Sequence, residues 1–261
     1  MRVQELFDLN GKVALVTGGG RGIGKFISRG LAEAGADLAI GSRKIQNCRE
    51  VAEELKKLGV RTLAIECDMS KVEEIEGFVE ATMRAFGRID ILINNAGMNW
   101  GAPTLEYPLD KWEKIMAVNI RGPFLLSQKV AKIMISQGGG KIINIASVAG
   151  LKAGEEGAPP AIAYNTSKGG LIAMTKELAV RLAQFNIHVN AIVPGFFRTD
   201  MTAWVEADKF KSVKEALIRQ VPIRRIAEEE DIKGLAVFLA SAASNYMTGG
   251  IIPVDGGLLA R

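Results

Sequence analysis

Tyr164, four residues before Lys168, and Ser147, upstream at the end of an apolar strand-like run, are side chains that can build a proton-transfer site without histidine. On one helix a tyrosine and a lysine at this spacing share a face, and the ammonium can stabilise the phenolate. A phenol with an ordinary pKa of about 10 then becomes usable as an acid or base nearer neutral pH. An ordinary helix surface also carries such a pair, so the weight falls on what accompanies it. His188 is the only histidine and lies in the strand-like run His188-Val189-Asn190-Ala191-Ile192, where it reads as structural. A histidine-rich zinc site, a Ser-His-Asp triad and an HExxH protease are thereby disfavoured.

A second group of segments suits a nucleotide. Thr17-Gly18-Gly19-Gly20-Arg21-Gly22-Ile23-Gly24 joins a first strand to a first helix, where bare backbone lets a pyrophosphate approach a helix N-terminus. About 20 residues on, where an acidic residue would favour the ribose hydroxyls of NAD, stand Gly41-Ser42-Arg43-Lys44. Ser42, Arg43 and Arg21 suit a 2′-phosphate, which points to NADP(H); the alternative is a solvated helix start. In Cys67-Asp68-Met69-Ser70, Asp68 is placed to accept from an adenine amino group, with Met69 beside it, or to cap the next helix. Asn94-Asn95-Ala96-Gly97 offers small residues for backbone to lie against the adenosine ribose and asparagine amides to tie strand ends together.

These residues need a frame, and short β-rich runs alternating with helical periodicity supply one. The runs are Val13 to Val16, Leu38 to Ile40, Leu63 to Ile65, Ile89 to Ile93, Ile142 to Ile145, Val189 to Val193 and Ile251 to Val254. Seven strands in a doubly wound, mostly parallel α/β sheet with helices on both faces, a single-domain Rossmann fold over residues 1–261, is the expected architecture. Ligands of such sheets bind outside the carboxyl ends of the strands, where all the segments above converge. Gly150 to Pro160 and Phe196 to Pro222 read as irregular loops, the second as a substrate loop.

Composition narrows the field. The 261 residues are 48% hydrophobic and 24% charged, enough for a sizeable core, and a net charge of +4 with signs interspersed argues against a nucleic-acid partner. Cys48 and Cys67 lie in separate segments, no apolar run approaches the roughly 20 residues of a membrane span, and the polar start lacks a signal-peptide core. A cytoplasmic protein without membrane contact is expected.

Taken together, TGGGRGIG, NNAG, Asn119, Ser147, YNTSK and Pro194-Gly195 resemble the short-chain dehydrogenase/reductase superfamily over essentially the whole chain. The resemblance implies that Tyr164 exchanges a proton with the substrate oxygen and that Ser147 hydrogen-bonds the same oxygen. It implies that Lys168 binds the nicotinamide ribose and lowers the Tyr164 pKa, while Asn119 holds a water linking Lys168 to solvent. The Phe197 amide and Thr199, after the cofactor-binding Pro194 and Gly195, would hold the nicotinamide carboxamide. No metal is required, and a homotetramer is the implied assembly.

Seventeen residues separate Ser147 from Tyr164, where about thirteen is usual in the family, so Glu155, Glu156, Pro159 and Pro160 fall in an extended loop beside the site. Pro194 to Thr202 is similar to 3-oxoacyl-[acyl-carrier-protein] reductases. The arginines that dock the carrier protein there align with Gly138 and Phe185, which counts against that partner and leaves a coenzyme A thioester open. The opening Leu6 to Lys12, the run Phe185 to Asn190 and the same Pro194 to Thr202 stretch are also similar to gluconate 5-dehydrogenases, whose kind of anionic substrate could use Arg198, Arg219, Arg224 or Arg225. The expected activity is NADP(H)-dependent reduction of a ketone, a 3-oxoacyl thioester first and a keto sugar acid nearly level, with a silent NADP-binding regulator as the alternative of another class.

Overall fold

The computed structural model describes residues 2–154, 160–199 and 211–260, with 211–213 by backbone alone. After a short helix, α1 (Val3–Leu6), β1 (Val13–Thr17) is buried throughout and apolar up to its last residue, Thr17, as suits a central strand covered on both faces. It feeds α2 (Gly22–Glu33), β2 (Asp37–Ser42), α3 (Ile45–Lys56), β3 (Thr62–Glu66), α4 (Val72–Phe86) and β4 (Ile91–Asn94). The second half adds α5 (Leu109–Met116), a π-helical turn (Ala117–Arg121), α6 (Gly122–Gln137), β5 (Gly140–Ile145), α7 (Ile162–Leu182) and β6 (Ile187–Pro194). Then follow α8 (Lys211–Gln220), α9 (Glu230–Ala240) and β7 (Ile251–Val254).

The strands form one sheet in the order β3-β2-β1-β4-β5-β6-β7, and every pairing is parallel, where the sequence reading expected mostly parallel. Crossover helices cover both faces, which keeps every strand running the same way. Strand side chains alternate between two cores. Val16, Ile40, Ile93 and Ile145 pack under α2, α3 and α9, and Leu15, Ala39, Leu92 and Ile142 pack under α4, α6 and the later part of α7. Because the order reverses between β1 and β4, a crevice opens at their carboxyl ends.

A buried polar chain braces the sheet below that crevice. Asn94 Nδ2 donates to Asn144 Oδ1 (2.8 Å) and Ser127 Oγ (3.0 Å), and Asn144 Nδ2 donates to Thr175 Oγ1 (2.9 Å). It joins β4, β5, α6 and α7. Phe196 to Pro222 is not irregular throughout: α8 occupies part of it, and a bridge between Phe197 and Ala227 closes its stem. Residues 200–210 of that segment, and Glu155, Glu156 and Pro159 of the extended loop, lie outside the described residues. Among the described residues no helix is long and apolar enough to cross a membrane, and no cluster of histidine, cysteine or carboxylate side chains could hold a metal.

Candidate active site

The glycine turn is shaped by close approach. Gly18 has φ +66°, and a Cβ there would fall 2.8 Å from Asn95 Nδ2; a Cβ on Gly24 would fall 2.3 Å from the Gly18 carbonyl oxygen. Asn95 Nδ2 donates to the carbonyls of Thr17 (2.9 Å) and Gly18 (3.2 Å). The Thr17 hydroxyl accepts from the amides of Asn95 and Ala96, each at 3.0 Å. The end of β4 is thereby locked to the turn after β1. Thr199 reaches over from the far side, its Cβ 3.3 Å from where a Gly22 side chain would begin.

A cleft of about 530 Å³ runs along this edge. From the glycine turn it is lined by Gly18, Arg21, Gly22, Ile23 and Gly24, and from the ends of β2 and β3 by Ser42, Arg43, Asp68 and Met69. Asn95, Ala96 and Gly97 form its floor, and Pro194, Gly195, Phe197 and Thr199 line it after β6. Ser147, Tyr164 and Lys168 stand at the same cleft, and Asn119 is buried behind Gly97. The fold thus assembles at one place residues that the sequence spreads over some 180 positions.

Ser147 ends the strand segment with extended backbone, and its hydroxyl accepts from the Ala149 amide at 3.2 Å, capping a 3-10 turn (Val148–Gly150). Gly150 lets that turn lie on α7: a Cβ there would fall 2.6 Å from the Lys168 carbonyl carbon. Lys168 is buried; its Nζ donates to the Ile145 carbonyl (2.7 Å) and lies 5.6 Å from the Tyr164 ring centroid. Burial pushes the Lys168 pKa down to about 8. Burial also pushes the Tyr164 phenol above its ordinary value, and a hydrogen bond with the Ser147 hydroxyl pulls part of that back. The phenol and the ammonium are thus buried side by side, with the Lys168 ammonium bonded to the Ile145 carbonyl.

Asp68 does not cap α4, whose N-cap is Lys71. Its Oδ1 accepts from the Ser70 amide (2.9 Å) and hydroxyl (2.8 Å), forming an Asx turn. Burial raises its pKa, but the Ser70 hydrogen bonds and the Arg43 charge outweigh that and hold it below the ordinary value. The arginines considered for an anionic substrate are engaged elsewhere. Arg225 grips Asp231 (2.5 and 2.6 Å), Arg198 lies 3.4 Å from Glu228, Arg219 lies 4.0 Å from Glu215, and Arg224 donates to the Arg219 carbonyl.

Comparison with known proteins decides the family. The model described as enoyl-(acyl carrier protein) reductase, of the short-chain dehydrogenase type, matches residues 18–259. A 2-dehydro-3-deoxy-D-gluconate 5-dehydrogenase of Dickeya dadantii is 42% identical, over 98% of each chain. This chain is a short-chain dehydrogenase/reductase. A 3-oxoacyl-[acyl-carrier-protein] reductase of Aquifex aeolicus is 39% identical over 96% of this chain and 98% of its own. Among solved structures, a gluconate 5-dehydrogenase of Burkholderia cenocepacia, in complex with NADP and tartrate, is 35% identical with a TM-score of 0.91 over 100% of both chains. As a member of the family the protein is an oxidoreductase acting on CH–OH and C=O groups.

Six further residues of this short-chain dehydrogenase/reductase line the cleft without having been singled out as cofactor contacts: Lys44, Asn47, Cys67, Val118, Ile145 and Ala146. Asn47 had a signal, since Gly20 makes room for α3: a Cβ on Gly20 would fall 3.0 Å from Asn47 Cβ and 2.9 Å from the Cys48 amide nitrogen. Val118 had none, because it enters from the π-helical turn, which no periodicity announces.

Proposed function

We propose that this chain interconverts a ketone and a secondary alcohol on a keto sugar acid, using NADP(H). The observation that carries the reading is the junction of the glycine cradle with Ser147, Tyr164 and Lys168 in one cleft. The cradle suits a cofactor on its own geometry, since Gly18 and Gly24, whose side chains would run into Asn95 and the Gly18 carbonyl, let the turn close and leave bare backbone facing the cleft at the start of α2. When bound, NADP(H) supplies or accepts the hydride. NADP(H) is favoured by cationic Arg21, Arg43 and Lys44 on the cleft wall, where a ribose-binding carboxylate would otherwise stand, and by the NADP held in the Burkholderia relative.

In this reading Ser147 holds the substrate oxygen by hydrogen bonding, and Tyr164 gives that oxygen a proton in reduction or removes one in oxidation. Lys168 holds the nicotinamide ribose and keeps positive charge beside the phenol. Asn119 Oδ1 and Lys168 Nζ both approach Gly97, each 3.6 Å from the point where its Cβ would be, and Asn119 holds the water that links Lys168 to solvent. The Phe197 amide and Thr199 orient the carboxamide, beside Pro194 and Gly195 of the cleft wall.

The sugar-acid substrate is supported by the 42% identity to the Dickeya enzyme. Gly138 and Phe185, where carrier-docking arginines would stand, offer no charge to a carrier protein. A 3-oxoacyl thioester is the second reading, favoured by the 39% identity to the Aquifex reductase. We further place the enzyme in a reducing cytoplasm, since Cys48 and Cys67 are free and buried, and as a homotetramer of one catalytic domain over residues 1–261.

The test follows oxidation of NADPH and of NADH with 5-ketogluconate and with acetoacetyl-coenzyme A, with Tyr164→Phe as the blank. Faster turnover of the keto acid, NADPH used at least about tenfold better than NADH, and loss of about 10²-fold or more in the blank are expected. Preference for the thioester would shift the assignment to oxoacyl reduction. Tight NADPH binding with turnover of neither ketone would favour a silent regulator.

A further inference from the structure

We propose that Ser167 is a positioning residue of this enzyme: its hydroxyl locks the turn carrying Asn119 onto the catalytic helix and thereby holds the segment after β4 against Lys168. Ser167 is completely buried, one residue before Lys168 and three after Tyr164. Its Oγ donates to the Tyr164 carbonyl at 2.7 Å, the usual back-bond of a helical serine. The same oxygen accepts from Asn119 Nδ2 at 2.9 Å, and that second bond crosses from α7 to another element.

Asn119 relays the connection. The other Nδ2 proton goes to the Met98 carbonyl (3.0 Å), and Oδ1 accepts from the Met98 amide (2.9 Å). Met98 follows Gly97, a floor residue of the cleft beside Lys168 Nζ. One hydroxyl therefore ties together the helix bearing Tyr164 and Lys168, the π-helical turn (Ala117–Arg121) and the loop leaving β4. The tie sits at the centre of that turn, and a π-helical stretch within a helix is a rare form found mostly at functional sites. An alanine at 167 would leave a buried Asn119 N–H without its acceptor, and the amide would have to turn away from Met98 or stay unpaired. A cysteine keeps the volume but offers only a weak acceptor.

The inference rests on Tyr164 and Lys168 being the proton-transfer pair, so the test has one readout that depends on turnover and one that does not. Ser167→Ala and Ser167→Cys are made in the full chain, alone and with Asn119→Ala. Hydrogen exchange at the Met98 amide is compared with exchange in β1 and β2. With Ser167→Ala, Met98 exchange should quicken by about tenfold or more, while β1 and β2 stay as in the wild type. In the 5-ketogluconate assay kcat should fall by about 10- to 100-fold with the NADPH Kd within about twofold, because a small displacement of reacting groups has that effect. On the Asn119→Ala background the same change should add almost nothing, as expected for residues acting through one another.

Unchanged Met98 exchange overturns the anchor whatever happens to turnover. Unchanged kcat, or losses that multiply fully with Asn119→Ala, overturns its catalytic role. If the alanine variant does not fold, the cysteine variant decides by the same readouts. If the wild type turns over neither test ketone, the proposed activity falls, and Met98 exchange judges the anchor on its own.

Discussion

Two buried lysines illustrate how far residue type alone carries. Lys168 was legible from its spacing to Tyr164, but its partner, the Ile145 carbonyl, comes from a strand 23 positions away. Lys141, at the start of β5, gave no sequence signal and is nevertheless buried, donating to Ser244 Oγ (3.2 Å) and Asn245 Oδ1 (2.9 Å), with no carboxylate bonded to it among the described residues. Burial pushes its pKa from 10.5 down to about 8. Between those two pH values the folded chain binds fewer protons at this site than the unfolded chain. The burial penalty is therefore full below about pH 8 and fades as the pH rises towards 10.5. That depression corresponds to roughly 3 kcal/mol as an upper figure, offset in part by the two hydrogen bonds. Lys141→Met is expected to stabilise the protein at pH 7 by about 1–3 kcal/mol, with most of the gain gone at pH 10. Urea unfolding at the two pH values checks this, and a destabilised variant at pH 7 would mean that the bonds to Ser244 and Asn245 outweigh the burial.

At the scale of elements, the glycine turn was readable because its spacing is local, while the reason for each glycine was not. Gly24 lies within the first turn of α2, where propensity alone would favour alanine by about 1 kcal/mol. A Cβ 2.3 Å from the Gly18 carbonyl oxygen reverses that sign, since helix and turn must separate. Gly24→Ala is expected to lower NADPH affinity by about tenfold or more while the far-ultraviolet circular dichroism stays that of the wild type, and fluorescence titration measures the first. Native affinity in that variant would show that the turn can open without disturbing the cradle. The strands were equally legible, as apolar runs between helical stretches. The helix α8 was not, because its amphipathic stretch stands beside turn-forming residues that read as loop.

At the scale of the molecule, the helix faces left outward after folding carry information of their own. Leu105, Leu109 and Val180, from the α5 region and α7, are more than two-thirds exposed, and Phe124 on α6 is 43% exposed. Side chains of this kind on neighbouring helices suit burial against another copy. If the proposed tetramer uses these faces, sedimentation velocity will give a species of about four chain masses, and Val180→Glu should shift it towards smaller species. A monomer at micromolar concentration would remove the tetramer from the proposal. Part of the surface charge is paired across elements, as in the run Lys25, Glu54, Arg29, Glu229, Lys233 and Glu33 that ties α2, α3 and α9 together.

The sequence by itself determined the seven strands, their alternation with helices, and the glycine, serine, tyrosine and lysine positions that meet in the cleft. Those features are written in local spacing and periodicity, which survive whatever the rest of the chain does. The tertiary structure alone decided that burial raises the Tyr164 pKa, that Arg198 and Arg225 are drawn to Glu228 and Asp231, and that one serine hydroxyl joins Tyr164 to Asn119. Desolvation and hydrogen bonding depend on which distant segments come to lie over a residue. That is a property of the packed molecule and not of any stretch of its chain.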